Sequence, residues 1–79
     1  MVALRLFAAA RDAAGVAQDD VPGATVGAVL EGAKGRYGER FAGVLAHSTV
    51  WCNGEATDLD RPVGSGDEVA VLPPVSGGA

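Results

Sequence analysis

The sequence contains few of the residues on which most catalytic and metal sites depend. Its 79 residues include one cysteine, Cys52, and one histidine, His47. A single cysteine excludes a disulfide within the chain and fits a reducing compartment. A lone histidine cannot form a metal cluster by itself, so we interpret His47 as a surface or loop residue and expect no metal site.

Long apolar runs are also absent. No hydrophobic stretch approaches the length of about 18 residues that a membrane-spanning helix needs. The N-terminal MVALRLFAAARDAAG lacks a charged leader, and Arg5 interrupts its apolar part, which favours a strand over a signal peptide. We therefore expect a cytoplasmic protein with no membrane partner.

The short motifs that suggest catalysis have simpler structural interpretations. GSGDEV at 64–69 lacks the third glycine of a dinucleotide loop and the Lys-Ser/Thr of a phosphate loop, so we interpret it as a turn. Asp58 and Asp60 are interpreted as residues of a turn and a solvated face. Cys52 has His47 as its only available base, and buried cysteines usually act as small hydrophobes. We expect that the chain is not an enzyme on its own.

The net charge of −4 is unevenly distributed. Residues 1–50 carry five basic and five acidic side chains, so the whole acidic excess follows residue 50. A surface of this sign would repel nucleic acid and attract a basic protein partner. The charged residues after position 50 are Glu55, Asp58, Asp60, Asp67 and Glu68, with Arg61 as the only basic one.

Alternation and turn signals predict the strands. In VALRLFA, Val2, Leu4 and Leu6 fall on one face of a strand and Phe7 falls on the other. AAARDAAG predicts one or two helical turns that stop at Gly15. The other strands are predicted in VAQDDVPG, in STVWCNG with its Asn-Gly hairpin signal, in a short piece near Glu55–Thr57, and in EVAVL.

One longer helix is predicted in the middle of the chain. Thr25 can cap it, and we expect it to run from about Val26 to Tyr37. Gly32, Gly35 and Gly38 each weaken the helix by about 1 kcal/mol relative to alanine, so packing must stabilise it. Its predicted apolar stripe consists of Val26, Val29, Leu30, Ala33, Tyr37 and, as a last candidate, Phe41.

These elements favour an α+β roll. The length allows one domain, and one helix cannot cover both faces of a sheet. The economical arrangement is a mixed sheet of four to five strands over one main helix, with the first and last strands as parallel neighbours. We assign residues 1–72 to this domain and 73–79 to an extended C-terminal tail.

The tail, VLPPVSGGA from residue 71 to the end, admits two interpretations. Most chain ends are simply disordered. Alternatively, Pro73 and Pro74 hold the chain extended, and Gly77 and Gly78 can pass through a narrow channel in another protein because they lack side chains. Two prolines directly after a strand favour a projecting arm.

Three stretches resemble the MoaD/ThiS family of sulfur carriers, which have β-grasp, ubiquitin-like folds. GDEVAVLPPVSGG at 66–78 is similar to the family's C-terminal signature, LRLFAAARDAAG at 4–15 to its opening strand and short helix, and VWCNGEATDLDRPVGSGDEV at 50–69 to its central stretch. The longer LPPVSGG form is similar to the small subunit of molybdopterin synthase rather than to the thiamine carrier. The resemblance covers most of the chain, and its tail motif is specific.

The resemblance implies a mechanism based on the terminal glycine. A ubiquitin-activating-like enzyme using ATP and Mg²⁺ would adenylate Gly78, and the acyl-adenylate would become a thiocarboxylate. The tail would then enter the large catalytic subunit of molybdopterin synthase and donate sulfur to a pterin precursor. The chain itself would hold no stable cofactor. The residues implied in threading the tail are Pro73, Pro74, Val75, Ser76 and Gly77, and those implied in docking the partner are Phe7, Arg11 and Leu72.

Ala79 departs from the family pattern, in which the chain ends at the second glycine. With Ala79 present, the terminal carboxylate is on the wrong residue. Ala79 is either removed before activation, tolerated, or not part of the natural chain. A carrier that supplies sulfur to cysteine, thiamine or another metabolite stays open as an alternative, as does a β-grasp binding module without sulfur chemistry.

Overall fold

The structure is a computed structural model that describes residues 1–74. Five strands and three helices succeed one another along this part of the chain. The predictions for residues 75–79 lie outside the described residues. The elements are β1 (Val2–Leu6), α1 (Ala8–Ala14), β2 (Gln18–Val21), α2 (Val26–Tyr37), α3 (Glu39–Leu45), β3 (Thr49–Cys52), β4 (Glu55–Ala56) and β5 (Glu68–Leu72).

The strands form one mixed sheet in the order β2-β1-β5-β3-β4. β1 and β5 are parallel neighbours, as predicted, with Leu4 opposite Val69 and Leu6 opposite Val71. The other pairs are antiparallel. Because the parallel pair lies inside the sheet and antiparallel strands flank it on both sides, the prediction of an α+β, β-grasp roll is confirmed.

The core lies between one face of the sheet and the helices. Val2, Leu4 and Leu6 are buried, so the alternation predicted for β1 is confirmed. α2 buries the four side chains expected of it, and α1 and α3 contribute to the same cluster. All three helices therefore cover the same face of the sheet. The buried side chains of α2 are Val26, Val29, Leu30 and Ala33.

The bounds of α2 match the prediction, but the segment after Gly38 differs from it. The Thr25 hydroxyl accepts a hydrogen bond from the Ala28 amide at 3.1 Å, and the chain leaves the helix at Gly38, whose φ is +93°. Phe41 therefore does not extend the stripe of α2. It belongs to α3, an unpredicted helix, where it is buried and its ring forms a T-shaped pair with that of Tyr37, with the centroids 5.1 Å apart.

Local turn chemistry explains the remaining connections. Gly15 ends α1 with φ of +81°, and Asn53 and Gly54 turn the β3–β4 hairpin with φ of +52° and +81°. The sequence predicted both the helix end at Gly15 and the hairpin turn.

Within residues 1–74, no helix has the length and apolarity that crossing a bilayer requires.

Candidate functional site

The C-terminal tail leaves from the middle strand of the sheet. β5 lies between β1 and β3, with Val71 opposite Leu6 and Leu72 opposite Thr49. Pro73 and Pro74 come next, outside the strand, and Pro74 is exposed. The base of the tail is thus fixed on both sides by the two strands that flank it. Val75, Ser76, Gly77, Gly78 and Ala79 lie outside the described residues.

Phe7 and Leu72 lie at the tail end of the sheet. The Phe7 amide donates to the Val71 carbonyl at 3.3 Å, which places Phe7 beside the last residues of β5. Phe7 is 40% exposed and Leu72 37%, although both are large apolar residues. The structure therefore places at one end of the sheet the two apolar residues that the family resemblance implied for docking.

Arg11 lies one helical turn after Phe7, and its amide donates to the Phe7 carbonyl at 3.4 Å. Its side chain is exposed, with Nε 3.9 Å from a carboxylate oxygen of Asp12. A second cation stands closer to the ring, since the guanidinium of Arg5 lies 5.6 Å from the centre of Phe7. Arg5 also reaches Glu68 at the start of β5, at 4.0 Å, so its guanidinium lies between that residue and Phe7. The family resemblance implied Arg11 and not Arg5.

Cys52 is fully buried at the end of β3, opposite Val69. Its position in the core supports its interpretation as a small hydrophobe. His47 is exposed beyond α3, and within residues 1–74 there is no group of three or more His, Cys, Asp or Glu side chains able to hold a metal ion. The turn interpretation of GSGDEV is confirmed, since the Asp67 amide donates to the Gly64 carbonyl at 3.0 Å.

A polar link fixes the start of β5, which carries the tail at its other end. The Asn53 side chain donates to Asp67 Oδ1 and accepts from the Glu68 amide, each at 2.9 Å. The Gly64 amide donates to Asp67 Oδ2 at 2.9 Å. The bonds from Asn53 and Gly64 lower the pKa of Asp67 because they favour its carboxylate. Sequence reasoning identified the Asn-Gly turn but not this link.

A second polar cluster joins β2 to the end of α2. The Tyr37 hydroxyl and the Arg36 guanidinium both donate to Asp19 Oδ2. The bond from Tyr37, followed by that from Arg36, lowers the pKa of Asp19 from 3.8 to about 2. Burial, followed by the bond to Asp19, raises the pKa of Tyr37 from 10.0 to about 12. The sequence placed Tyr37 on an apolar stripe and gave no signal for Asp19 as its partner.

Comparisons with known proteins agree with the fold and with the tail motif. The sequence profile of the ThiS family matches residues 4–78. A molybdopterin synthase sulfur carrier subunit from Aedes aegypti is 36% identical over 90 residues, which cover 98% of this chain and 88% of that protein. Small archaeal modifier protein 1 from Haloferax volcanii is 38% identical over 84 residues, 94% of this chain and 97% of that protein.

Solved structures share the fold of this chain. The crystal structure of SAMP1 from Haloferax volcanii is 37% identical, covers 98% of each chain and superposes with a TM-score of 0.82. A protein–protein complex of subunits 1 and 2 of molybdopterin-converting factor from Helicobacter pylori contains a chain with 23% identity, coverage of 98% and 97%, and a TM-score of 0.70, which shows the shared fold alone. With its profile match over residues 4–78 and its β-grasp fold, the chain belongs to the ThiS family of ubiquitin-like sulfur carriers.

Proposed function

We propose that this chain is a sulfur-carrier subunit that acts in molybdopterin synthesis through the carboxyl group of Gly78. The observation that carries the proposal is the position of the tail base. A Pro-Pro-Val-Ser-Gly-Gly segment begins where the middle strand ends, beside the exposed side chains of Phe7 and Leu72. A folded domain with exposed apolar side chains at the base of a glycine-rich C-terminal segment fits a protein that places its C-terminus inside another protein.

The acyl carbon of a free carboxylate is a poor electrophile, so the proposed chemistry begins with activation of the Gly78 carboxylate. The Gly78 carboxylate attacks the α-phosphorus of ATP on the adenylating enzyme, and pyrophosphate leaves. Sulfide then attacks the acyl carbon, and AMP leaves, so that one carboxyl oxygen is replaced by sulfur. A persulfide donor would instead give an acyl disulfide with loss of AMP, and a thiol reductant must then cleave its S–S bond to leave the thiocarboxylate. ATP and Mg²⁺ belong to the adenylating enzyme. Because Gly77 and Gly78 lack Cβ atoms, the tail fits a narrow channel without clashes.

This proposal requires two protein partners. The adenylating, ubiquitin-activating-like enzyme loads the tail, and the large catalytic subunit of molybdopterin synthase receives it. The Aedes relative is named as a sulfur carrier subunit of that synthase, and the Helicobacter structure is a complex of two subunits. The tail after Leu72 is proposed as a functional segment of its own, and Ala79 as a residue removed before activation.

A second candidate function is protein modification. The Haloferax relative, which is 38% identical, is named a modifier protein. A modifier would join the activated Gly78 carboxyl group to an amine of a target and release AMP, and no sulfur would be needed. Sulfur delivery to cysteine, thiamine or another metabolite uses the same thiocarboxylate and differs only in the acceptor.

The pathway is tested with the thiocarboxylated chain itself. It is mixed with the large synthase subunit and the pterin precursor, and dithiolene formation and loss of the chain's sulfur are monitored together. We expect one dithiolene sulfur gained for each thiocarboxylate consumed. A chain that keeps its sulfur in this mixture, yet loses it to another acceptor, would overturn the molybdopterin assignment and leave the carrier chemistry intact.

A further inference from the structure

The strand β2 forms one edge of the sheet, with β1 on one side and no strand on the other within residues 1–74. The Leu6 amide donates to the Ala17 carbonyl at 2.9 Å, and bonded pairs recur at every second residue of an antiparallel ladder. The odd-numbered residues of β2 therefore bond to β1. The backbone amides and carbonyls of Gln18 and Asp20 point away from β1, towards the open edge.

Arg36, in the last turn of α2, closes this edge at Asp20. Its Nη1 donates to the Asp20 carbonyl and to Asp19 Oδ2, both at 2.9 Å. Asp19 Oδ1 accepts from the Asp20 amide at 2.8 Å. The Tyr37 hydroxyl also donates to Asp19 Oδ2 and so helps to hold its carboxylate in place. Asp19 and Arg36, which we call the edge clamp, thus occupy both outward backbone groups of Asp20.

The residue that follows β2 blocks the next position of the edge. Position 22 would continue the outward alternation of positions 18 and 20, and Pro22 has no amide hydrogen to donate there. Prolines and charged side chains are common means by which proteins keep an edge strand from pairing with another chain. Of the two outward residues of β2, only the exposed Gln18 has backbone groups that the edge clamp does not cover. The edge is therefore closed at two successive positions and open at one.

We propose that the edge clamp keeps this chain monomeric, and that a chain without the clamp pairs with a second copy, β2 antiparallel to β2. A symmetric pair centred on Asp19 sets Gln18 of each copy opposite Asp20 of the other, so the outward groups of both copies bond one another. The edge clamp occupies the Asp20 groups that this pairing needs. The pairing also sets the two Asp19 carboxylates opposite each other, where like charges repel.

This inference is independent of the proposed function, because neither Gly78 nor sulfur takes part in the pairing. A carrier that gains sulfur normally and a chain that gains none would both leave it to be decided by self-association alone.

Sedimentation equilibrium of the full chain tests the proposal. The double variant Asp19→Asn/Arg36→Gln opens the edge clamp and leaves the net charge at −4. The matched control is Glu31→Gln/Lys34→Gln, which removes an exposed ion pair of 2.7 Å from the same helix, a pair that involves no residue of β2. We expect the clamp variant to dimerise about tenfold or more tightly than the wild type, because no hydrogen bond to a charged group must be broken first. The control should associate no more tightly than the wild type.

Amide hydrogen exchange followed by NMR identifies the strand that pairs. The Gln18 amide points to the open edge, so its exchange in the clamp variant should slow by about tenfold or more as dimers form. The Val21 amide, which faces β1 in the register of the sheet, is the internal reference. Circular dichroism verifies that each variant is folded.

A single substitution provides a second test if the clamp variant does not fold. Arg36→Gln keeps the bond from Tyr37 to Asp19 and removes only the guanidinium. High salt screens the two Asp19 carboxylates that face each other across the pair. In high salt Arg36→Gln should therefore also dimerise about tenfold more tightly than the wild type under the same conditions.

Four results would overturn the proposal. The folded clamp variant could associate no more tightly than the wild type, or it could associate while its Gln18 amide exchanges at the rate of the monomer. The Glu31→Gln/Lys34→Gln control could dimerise as strongly as the clamp variant. Lastly, the wild type could already pair through Gln18, which would show that the edge clamp does not close β2.

Discussion

The backbone amide of Phe7 donates a hydrogen bond of 3.3 Å to the carbonyl of Val71 and so joins the start of α1 to the base of the tail. The bond does not depend on the aromatic side chain, which is 40% exposed. Phe7→Ala should therefore leave the fold largely unchanged and weaken association with the large synthase subunit by about 2 kcal/mol.

Isothermal titration with the two purified proteins measures this change. Leu59→Ala is the control and should bind as the wild type does, because Leu59 is exposed but lies beside α2, where its carbonyl accepts from the Gly27 amide at 2.8 Å. If Phe7→Ala binds with unchanged affinity, Phe7 is not part of the interface.

Replacing two glycines of α2 by alanine should change the free energy of unfolding by different amounts. At Gly35 an added Cβ meets nothing within 4 Å, whereas at Gly32 it would lie 3.1 Å from Cγ1 of Val21. Gly35→Ala should raise the free energy of unfolding by about 1 kcal/mol through helix propensity. Gly32→Ala should raise the free energy of unfolding by less, because the Val21 side chain must move to make room for the added Cβ. Urea denaturation of both variants measures the difference, and an equal gain would contradict the described packing of α2 on β2.

The Asp19 carboxylate should make the free energy of unfolding fall as the solution becomes acidic. Its pKa is lowered from 3.8 to about 2, so its contribution is fully present above pH 3.8 and is lost as the pH falls towards 2. The pKa of Tyr37 is raised to about 12, so the contribution of its hydroxyl is present below pH 10 and is lost between pH 10 and 12.

Tyr37→Phe tests this link directly. It should cost about 1 kcal/mol at pH 7, because one partly exposed hydrogen bond to a carboxylate is removed. It should also reduce the loss of stability between pH 4 and 2, since Asp19 then titrates nearer its ordinary value. Thermal denaturation of the variant and the wild type across these pH values is the measurement. An acid profile identical to that of the wild type would show that the bond contributes nothing.

Cys52 should be needed for stability and not for sulfur transfer. It is fully buried, so Cys52→Ser places a hydroxyl group in the core and should cost about 1–3 kcal/mol. Cys52→Ala also removes the thiol, but it buries no polar group. Both folded variants should still gain sulfur. If both remain folded and neither gains sulfur, the thiol takes part in the chemistry.

Local signals were sufficient for most of the fold. Thr25 and the glycines around Tyr37 indicated the bounds of α2, and Asn53 with Gly54 indicated the hairpin, because capping and turn formation depend on nearby residues. The parallel pairing of β1 and β5 was predicted from their apolar composition. α3 was missed because Phe41 also fits the spacing of α2, and only the φ of Gly38 separates the two helices.

Some residues of the candidate site could be predicted from the sequence and others could not. The tail motif and Phe7 were recognisable in the sequence, since each belongs to a contiguous stretch that resembles the family. The bonds from Tyr37 to Asp19 and from Asn53 to Asp67 join residues 18 and 14 positions apart. Such relationships arise only from tertiary packing, which brings together residues that are distant in the sequence.

The central claim is that Gly78 carries the sulfur, and intact mass after incubation with ATP, the adenylating enzyme and sulfide tests it most directly. A chain ending at Gly78 should gain about 16 Da. The full 79-residue chain should gain this mass more slowly, or not at all, until Ala79 is removed. The Gly78→Ala variant and the chain that lacks Gly78 and Ala79 should show no gain in mass. Cleavage before Asp67 yields a C-terminal peptide without Met1 or Cys52, so oxidation of those residues cannot imitate the result. A gain confined to that peptide in the chain ending at Gly78 is the predicted result, and a gain that persists after Gly78 is deleted would contradict it.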